Sequence, residues 1–495
     1  MIDIKLEPLG KIIRVKKHTA LQDVLFDYGV EFPCGGDGSC GKCKVRIIDG
    51  DLPINDIQRR CFSQEELSKG WRLACQCIIK EPVTLELAQW KMSILSDDYL
   101  LKSSGREGYG VAVDLGTTTL AAQMVDLRTG NVVGVRTALN PQAKYGADIM
   151  SRIQYALADS GSQRLQRLIR VQLLSMIQGL IADMIPANPQ IDKVVIVGNT
   201  AMHHLFCGID VTPLSGVPFE PENDGEFNRD SEDIGWQLPG NPTVVFLPCL
   251  GGFVGSDVLA GIVAAGLHES AELMALVDLG TNGEVVVGNR NRILCASTAA
   301  GSAFEGAKIS MGMRAATGAI SRVKLENGQM INHVIGGGSP QGICGSGLVD
   351  AVAISLDLGL IDGTGRIKHP DSVITIGDPV KITQQDIREL QLAKGAIAAG
   401  FDILVRRLGI SKADIGKVFI AGAFGNYIDV GNAMKIGLLD FDHQKIIQAG
   451  NTALRGAKMA LLGFSDYRLI IEKSVHVPLA GDERFMEMFV DNMSF

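Results

Sequence analysis

The 495-residue chain has no hydrophobic run long enough to cross a membrane. Its longest apolar stretch, residues 258–267, has about ten residues, whereas a membrane-spanning helix needs about 20. Lys and Arg never occur more than two in a row and the formal net charge is −8, so no basic tract for nucleic acid is present. The first residues also lack a basic segment that leads into an apolar one, as a secretory signal has. These absences predict a cytoplasmic protein that binds neither membranes nor nucleic acid.

Glycine is the abundant residue. The chain contains 58 glycines, about 12% against an average of about 7%, and they show no three-residue period of the collagen type. The hydrophobic share of 46% and the charged share of 21% are ordinary for a folded protein. The length is about three times a typical domain of ~150 residues, so two or three domains are expected.

The composition changes along the chain. Residues 1–90 contain 13 basic and 13 acidic residues and short β-like runs, which predicts a small, neutral α+β domain. Residues 91–108 form a polar connector. From residue 109 to residue 495, apolar strands that end in glycine turns alternate with long helices, which predicts an α/β domain. The net negative charge belongs to this second part.

Cysteines cluster in the first domain, which contains six of the ten. Cys34, Cys40 and Cys43 have the spacing C-x5-C-x2-C, and Cys75 follows at a distance. Thiolates are soft ligands for iron and zinc, and the glycines between them let the chain wrap an inorganic core. Zinc sites commonly use two close pairs of ligands, whereas here three ligands are close and one is remote. The pattern therefore favours an iron–sulfur cluster over zinc.

The identity of the fourth ligand stays open on spacing alone. Cys75 competes with Cys77 and Cys61, because a shift of two residues on an extended segment keeps the same face. The segment Arg72-Leu73-Ala74-Cys75-Gln76 resembles the region of the remote cysteine in plant-type [2Fe–2S] ferredoxins, and this resemblance favours Cys75.

An internal repeat is visible in the second part. Residues 111–119 (VAVDLGTTT) are echoed 164 residues later by residues 276–283 (LVDLGTNG). In each copy a strand ends in Asp, Asp114 or Asp278, and a Gly-Thr turn follows. Such a turn can wrap a phosphate with N–H and hydroxyl groups while the carboxylate holds a hydrated Mg²⁺. The predicted phosphate-binding residues are Gly116, Thr117, Thr118, Thr119, Gly280, Thr281, Asn282 and Gly283.

A single Asp-x-Gly-Thr segment is also an ordinary β-turn, but two ordered copies favour ATP binding. Three further segments are candidates for the same site. A strand at residues 418–421 leads into small residues, of which Gly422, Gly425 and Asn426 are candidates for adenosine contacts. Gly345 and Ser346 precede a predicted helix whose N-terminus suits an anion, although a plain loop is an equal reading. Asp257 either orients water or accepts a proton, or it simply stabilises the first turn of a helix.

The two loops and the 418–426 segment resemble the phosphate and adenosine motifs of the superfamily that contains actin, sugar kinases and heat-shock chaperones. A ferredoxin domain followed by such an ATPase domain resembles the reductive activators of corrinoid proteins over essentially the whole chain. The resemblance implies an α+β ferredoxin-like domain and a duplicated α/β actin-like fold. It implies that Cys34, Cys40, Cys43 and Cys75 hold a [2Fe–2S] cluster and that the Asp114 and Asp278 loops bind ATP.

The resemblance also implies a function and partners. One electron, supplied by an upstream donor, would convert inactive cob(II)amide to Co(I) in the corrinoid protein of a methyltransferase system. A homodimer formed through the ATPase domain is implied as well. Two other classes stay open: an ATP-dependent donor to another low-potential enzyme, such as a 2-hydroxyacyl-CoA dehydratase, and a non-catalytic redox sensor that binds ATP.

Overall fold

The computed structural model describes residues 1–7, 11–25, 28, 30, 38, 43–87, 101, 105–184, 189–306 and 308–495. Most of the predicted connector, residues 91–108, lies outside these ranges. No helix in the described residues is both long and apolar enough to span a bilayer.

The N-terminal domain is built on one five-stranded sheet. Its strands are β1 (Ile2–Glu7), β2 (Lys11–Val15), β3 (Lys44–Asp49), β4 (Trp71–Leu73) and β5 (Val83–Leu87), and its helices are α1 (Leu21–Leu25), α2 (Asp56–Cys61) and α3 (Gln64–Ser68). The strand order is β2-β1-β5-β3-β4, with β1 and β5 parallel. Alternating apolar residues of β1 and β5, such as Ile4, Leu6 and Leu85, are fully buried in the core of this domain. The α+β prediction is confirmed.

The first half of the second part, which we call lobe I, contains a six-stranded sheet. Its elements are β6 (Tyr109–Leu115), β7 (Thr119–Asp126), β8 (Val132–Leu139), α4 (Ile149–Ala156), α5 (Gly161–Ala182), β9 (Ile191–Val197), α6 (Thr200–Cys207), β10 (Phe227–Asp230), β11 (Thr243–Phe246) and α7 (Ser256–Ala265). The strand order is β10-β11-β9-β6-β7-β8.

The second half, lobe II, contains another six-stranded sheet and two small ones. Its strands are β12 (Met274–Leu279), β13 (Gly283–Asn289), β14 (Arg292–Thr298), β15 (Ala319–Glu326), β16 (Gln329–Val334), β17 (Gly342–Ile343), β18 (Val373–Gly377), β19 (Val380–Thr383), β20 (Lys417–Ala421), β21 (Ile446–Gly450) and β22 (Ser474–His476). Its helices are α8 (Gly345–Asp357), α9 (Gln384–Leu408), α10 (Gly422–Tyr427), α11 (Val430–Lys435), α12 (Thr452–Leu461), α13 (Tyr467–Lys473) and α14 (Phe485–Asp491).

The repeat seen in the sequence is a repeat of topology. The large sheet of lobe II has the order β21-β20-β12-β13-β14-β22. The series β8-β7-β6-β9-β11 in lobe I and β14-β13-β12-β20-β21 in lobe II are therefore equivalent, with three antiparallel strands followed by two parallel ones in each. This confirms the duplicated α/β fold.

Helices α7 and α12 join the two lobes. They share a core with residues of both large sheets, including Val195 of lobe I and Leu276 of lobe II. Gly456 of α12 lies so close to the backbone of Ala260 in α7 that a Cβ atom would not fit. Part of the glycine excess thus serves helix packing at the base of the cleft.

Candidate functional site

The two predicted phosphate loops face each other across the cleft. Residues 116–118 join β6 to β7, which begins at Thr119, and residues 280–282 join β12 to β13. Each loop is closed by a short backbone bond, from Gly116 N to Thr119 O at 3.1 Å and from Gly280 N to Asn282 O at 3.1 Å. The hydroxyl oxygens of Thr118 and Thr281 lie 2.9 Å apart. The fold therefore brings the two copies of the repeat into direct contact.

A carboxylate holds both loops. The hydroxyl of Thr118 donates to Oε2 of Glu305 at 3.1 Å, and the hydroxyl of Thr281 donates to Oε1 at 2.8 Å. Glu305 ends a short 3-10 helix, Ser302–Glu305, that follows β14. Sequence reasoning missed this residue because nothing in its neighbourhood resembles a phosphate motif.

A cavity of about 130 Å³ below the loops is lined by five carboxyl groups, and this acidic cavity is the centre of the candidate site. They belong to Asp114, Asp257, Asp278, Glu284 and Glu305. The three Asp residues are those that the sequence predicted. Glu284 pairs with Asp278 across β12 and β13, a neighbour that the sequence analysis did not single out.

Burial and mutual repulsion raise the pKa values of these carboxyls. Burial raises the pKa of Asp114 to about 6, and a hydrogen bond from Nδ2 of Asn451 at 2.8 Å opposes this rise. Burial and the nearby Asp114 raise the pKa of Asp278 to about 7. Burial together with the charges of Asp278 and Asp114 raises the pKa of Asp257 to about 8. Burial likewise raises the pKa of Glu284 well above its ordinary value. Such a site favours a cation or a proton.

Asp257 lies at the start of α7, where its Oδ1 accepts a 2.8 Å hydrogen bond from the N–H of Val258. The residue is in the first helical turn and also lines the acidic cavity. A role in orienting water or accepting a proton stays a prediction. Asn199 lies nearby, and its Nδ2 donates to the hydroxyl of Thr117 at 2.8 Å.

A larger cavity of about 530 Å³ adjoins the acidic cavity and shares Thr118, Thr119, Gly280 and Glu305 with it. Gly345 and Ser346, at the start of α8, line this larger cavity. The aromatic rings of Phe304 and Phe424 also line it and are stacked, with centroids 4.5 Å apart. An apolar space next to a phosphate-type loop suits a nucleobase and its sugar.

The structure places most of the predicted nucleotide residues on one of the two cavities. Gly422 lines the acidic cavity with a φ of +84°, and a Cβ there would lie 2.5 Å from Oδ1 of Asp278. Gly283, Gly425 and Asn426 line neither cavity. Gly283 is in β13, where a Cβ would lie 2.5 Å from Ile397 of α9, so its small size serves packing.

Two of the four predicted cluster ligands lie in the described residues. Cys43 directly precedes β3 and Cys75 follows β4, and these strands pair with Lys44 opposite Leu73. The N–H of Ala74 donates to the carbonyl of Cys43 at 2.8 Å, so the two cysteine backbones are neighbours. Cys34 and Cys40 lie outside the described residues. The neighbouring Cys43 and Cys75 fit a site for a cluster held by four thiolates.

The two competing cysteines have other surroundings. Cys77 is 2% exposed in the core of the domain, and its Sγ donates to the carbonyl of Leu73 at 3.2 Å. Cys61 is exposed at the end of α2, and its Sγ donates to the carbonyl of Gly38. Among the described residues, the backbone bond to Cys43 comes from Ala74, the neighbour of Cys75.

The fold and the site define a [2Fe–2S] ferredoxin domain joined to an actin-like domain of the ATPase type. Comparison with known families agrees with this class: residues 4–80 match the 2Fe–2S iron–sulfur cluster binding domain, residues 109–270 match the RACo middle region, and residues 272–495 match the C-terminal domain of RACo, the ASKHA domain. The middle region corresponds to lobe I and the C-terminal region to lobe II.

Known proteins resemble the chain over most of its length. The corrinoid activation enzyme RamQ of Eubacterium limosum is 37% identical over 425 residues, covering 78% of this chain and 70% of that protein. The [Co(II) methylated amine-specific corrinoid protein] reductase of Methanosarcina barkeri is 28% identical over 424 residues, covering 78% and 77%. A solved structure of a reductive activator for a corrinoid iron–sulfur protein superposes with a TM-score of 0.70 at 27% identity and covers 100% and 98% of the two chains. The chain belongs to the family of reductive activators of corrinoid proteins.

Proposed function

We propose that this protein is an ATP-dependent reductive activator, which delivers one electron from its N-terminal domain to the cobalt of a corrinoid protein and so converts inactive cob(II)amide to Co(I). The observation that carries the proposal is the contact, within one chain, between the [2Fe–2S]-type domain and lobe I, which holds the first phosphate-type loop: Leu139 and Ala143 of lobe I pack in the core of the N-terminal domain, and Nε2 of Gln22 donates to the carbonyl of Lys144 at 3.3 Å. The relatives named for corrinoid activation and for Co(II) corrinoid reduction support this choice of acceptor.

We assign the cluster to Cys34, Cys40, Cys43 and Cys75. A [2Fe–2S] cluster, when bound, supplies one-electron redox chemistry at low potential. The chain's part is to hold the third and fourth thiolates near each other. The pairing of β3 with β4 supports this assignment, because it makes the backbones around Cys43 and Cys75 neighbours. The chain also keeps Cys77 buried in the core, where it donates to Leu73.

We assign the nucleotide to the two adjoining cavities. The loops at residues 116–119 and 280–282 bind the phosphates of ATP, and Gly345 and Ser346 border the adenosine. Gly422 lies at the acidic cavity beside Asp278. Asp114 and Asp278 are suited to Mg²⁺, which is usually held by one or two carboxylates together with phosphate oxygens. Asp257, with a pKa of about 8, orients water or accepts its proton.

ATP is needed for a thermodynamic reason. For one electron, 59 mV changes the equilibrium constant tenfold, so an unfavourable gap of ~0.2 V costs ~5 kcal/mol. Inverting a 1:99 conformational population requires ~5.5 kcal/mol. Nucleotide binding that favours one conformation can therefore offset a gap of this size.

The proposal extends to partners. The corrinoid protein of a methyltransferase system docks on the domain of residues 109–495, an upstream donor reduces the domain of residues 1–90, and the connector of residues 91–108 separates the two. The active form is a cytoplasmic homodimer that associates through the ATPase domain.

The test mixes the reduced, cluster-loaded protein with a corrinoid protein in the cob(II)amide state and follows the Co(I) absorption with and without MgATP. Co(I) should accumulate only with MgATP. Cys43→Ser should abolish Co(I) formation and keep ATP binding, whereas Cys77→Ser, its matched control, should keep both.

Absence of ATP-dependent Co(I) formation with every corrinoid protein tried would overturn the proposal. ATP-dependent reduction of a 2-hydroxyacyl-CoA dehydratase instead would move the function to another acceptor. ATP hydrolysis that is slow and indifferent to any acceptor would identify a redox sensor.

A further inference from the structure

A six-residue segment, residues 139–144, lies between the first phosphate loop and the N-terminal domain. Leu139 and Ala143 belong to the same buried core as the apolar residues of the N-terminal domain. Asn140, between them, is fully buried and contacts the phosphate loop instead. Neighbouring residues of one segment thus pack against two different domains.

Two hydrogen bonds of Asn140 fix the loop to this segment, and a third orders the segment itself. Its Nδ2 donates to the carbonyl of Gly116 at 2.9 Å, and its backbone N–H donates to the carbonyl of Thr118 at 2.9 Å. Its Oδ1 accepts from the N–H of Gln142 at 3.0 Å and caps the 3-10 helix Pro141–Lys144. Because each peptide unit is planar and trans, holding the two carbonyls also fixes the direction of the N–H groups of Thr117 and Thr119.

The other end of the segment touches helix α1 of the N-terminal domain. Nε2 of Gln22 donates to the carbonyl of Lys144 at 3.3 Å, and Nζ of Lys144 donates to the carbonyl of Asp23 at 3.4 Å. Helix α1 in turn begins with a bond from the N–H of Leu21 to the carbonyl of Cys77, two residues after Cys75. One continuous path of contacts therefore leads from the phosphate loop to the cysteine region.

A phosphate between the two loops is incompatible with their contact. The hydroxyl oxygens of Thr118 and Thr281 lie 2.9 Å apart, and each hydroxyl donates its proton to Glu305, so no phosphate fits between them. Thr119 pairs with Leu139 in the ladder of β7 and β8, so Asn140 lies in the same lobe as the loop. The bonds from Asn140 to the carbonyls of Gly116 and Thr118 therefore break only where the loop moves away from β8 as the phosphates enter.

We propose that Asn140 is a positioning residue that couples the two domains: the N-terminal domain is docked on residues 139–144 while the loops touch, and nucleotide binding breaks the bonds of Asn140 and releases the domain. The inference rests on the proposed function, because release of the domain would let it approach the corrinoid protein.

Hydrogen–deuterium exchange of the cluster-loaded full chain tests the coupling without any corrinoid protein. A non-hydrolysable ATP analogue with Mg²⁺ should speed amide exchange in α1 and in Pro141–Lys144 by about tenfold, because their docking contacts open. In Asn140→Ala the exchange of α1 should be fast with and without nucleotide. Asn140→Ser keeps a good N-cap but loses the amide donor, so it should also lose the nucleotide dependence. A purely structural role of Asn140 would leave that dependence intact.

A second pair of variants avoids the phosphate loop. Gln22→Ala with Lys144→Ala should release α1 in both states and leave ATP hydrolysis unchanged. Lys17→Ala, an exposed lysine of the same domain, should behave as the unmodified protein. Exchange of α1 that ignores nucleotide in the unmodified protein, or that still responds in Asn140→Ala, would overturn the inference. Exchange that switches as expected while no corrinoid protein is reduced would instead overturn the proposed function and leave the coupling standing.

Discussion

The two lobes share the order of five strands but differ in the turn that comes after their third strand. In lobe I, β8 leads to Asn140 and the turn Pro141–Lys144, which contacts the N-terminal domain. In lobe II, β14 leads to the turn Ser302–Glu305, whose carboxylate holds both phosphate loops. The duplicated fold therefore uses one topological position for two tasks, communication with the redox domain in lobe I and organisation of the cleft in lobe II.

The lobes also differ in the residues that face each other in their first strand pair, β6 with β7 in lobe I and β12 with β13 in lobe II. Asp114 of lobe I pairs with Ala121, whereas Asp278 of lobe II pairs with Glu284. Asp114 also receives a hydrogen bond from Asn451, which lowers its pKa, whereas the charge of Asp114 raises the pKa of Asp278. Lobe II thus places three of the five carboxyl groups around the acidic cavity, those of Asp278, Glu284 and Glu305.

The largest effect that would sharpen this comparison is expected from Asp278→Ala. Loss of the central carboxylate of lobe II should reduce ATP hydrolysis by about 10²-fold or more, the usual cost of removing a group that stabilises charge at a reacting centre. The absorption spectrum of the cluster should not change. Steady-state phosphate release measures the effect, and Asp233→Ala, an exposed aspartate of lobe I, is the control. Hydrolysis within twofold of the unmodified protein would show that lobe II does not carry the chemistry.

The sequence was sufficient to predict the elements that have local signals. The strand, Asp and Gly-Thr pattern located both loops and the duplication, because such a turn is encoded within about ten neighbouring residues. Glu305 and Asn451 were missed because they reach the loops only through the fold; Asn451 caps α12 and lies 337 positions from Asp114. The sequence pattern predicts a phosphate contact for Gly283, but in the structure a glycine is required there because α9 packs closely against β13. A glycine in a phosphate loop and a glycine required by packing cannot be distinguished from the sequence.

A smaller effect concerns pH and the acidic cavity. Asp114, Asp278 and Asp257 have pKa values of about 6, 7 and 8 in the folded protein, whereas an unfolded chain titrates such groups near 4. The stability that the neutral carboxyls confer is therefore complete below about pH 4 and is lost as the pH rises through those three values. The free energy of unfolding of the nucleotide-free protein should fall between pH 5 and pH 8.

Asp257→Asn tests the cause of this pH dependence. The amide keeps an oxygen for the N–H of Val258 but removes the charge, so the variant should be more stable than the unmodified protein at pH 8 by about 2 kcal/mol and equal to it near pH 5. Urea unfolding at the two pH values measures the difference. A stability gain of the same size at both pH values would mean that repulsion among the carboxylates is not the reason.

The smallest effect is expected at the contact between the two lobes. Thr118→Val and Thr281→Val keep the shape of the side chains but remove the hydroxyls that lie 2.9 Å apart and that both donate to Glu305. Each change should lower the free energy of unfolding of the nucleotide-free protein by about 1 kcal/mol, and the double variant should lose less than the sum, with a coupling of about 0.5–1 kcal/mol. Saturating nucleotide should abolish this coupling, because phosphates between the loops separate the two hydroxyls. Additive effects without nucleotide would show that the lobes do not depend on each other at this contact, and the cleft would then be open before ATP binds.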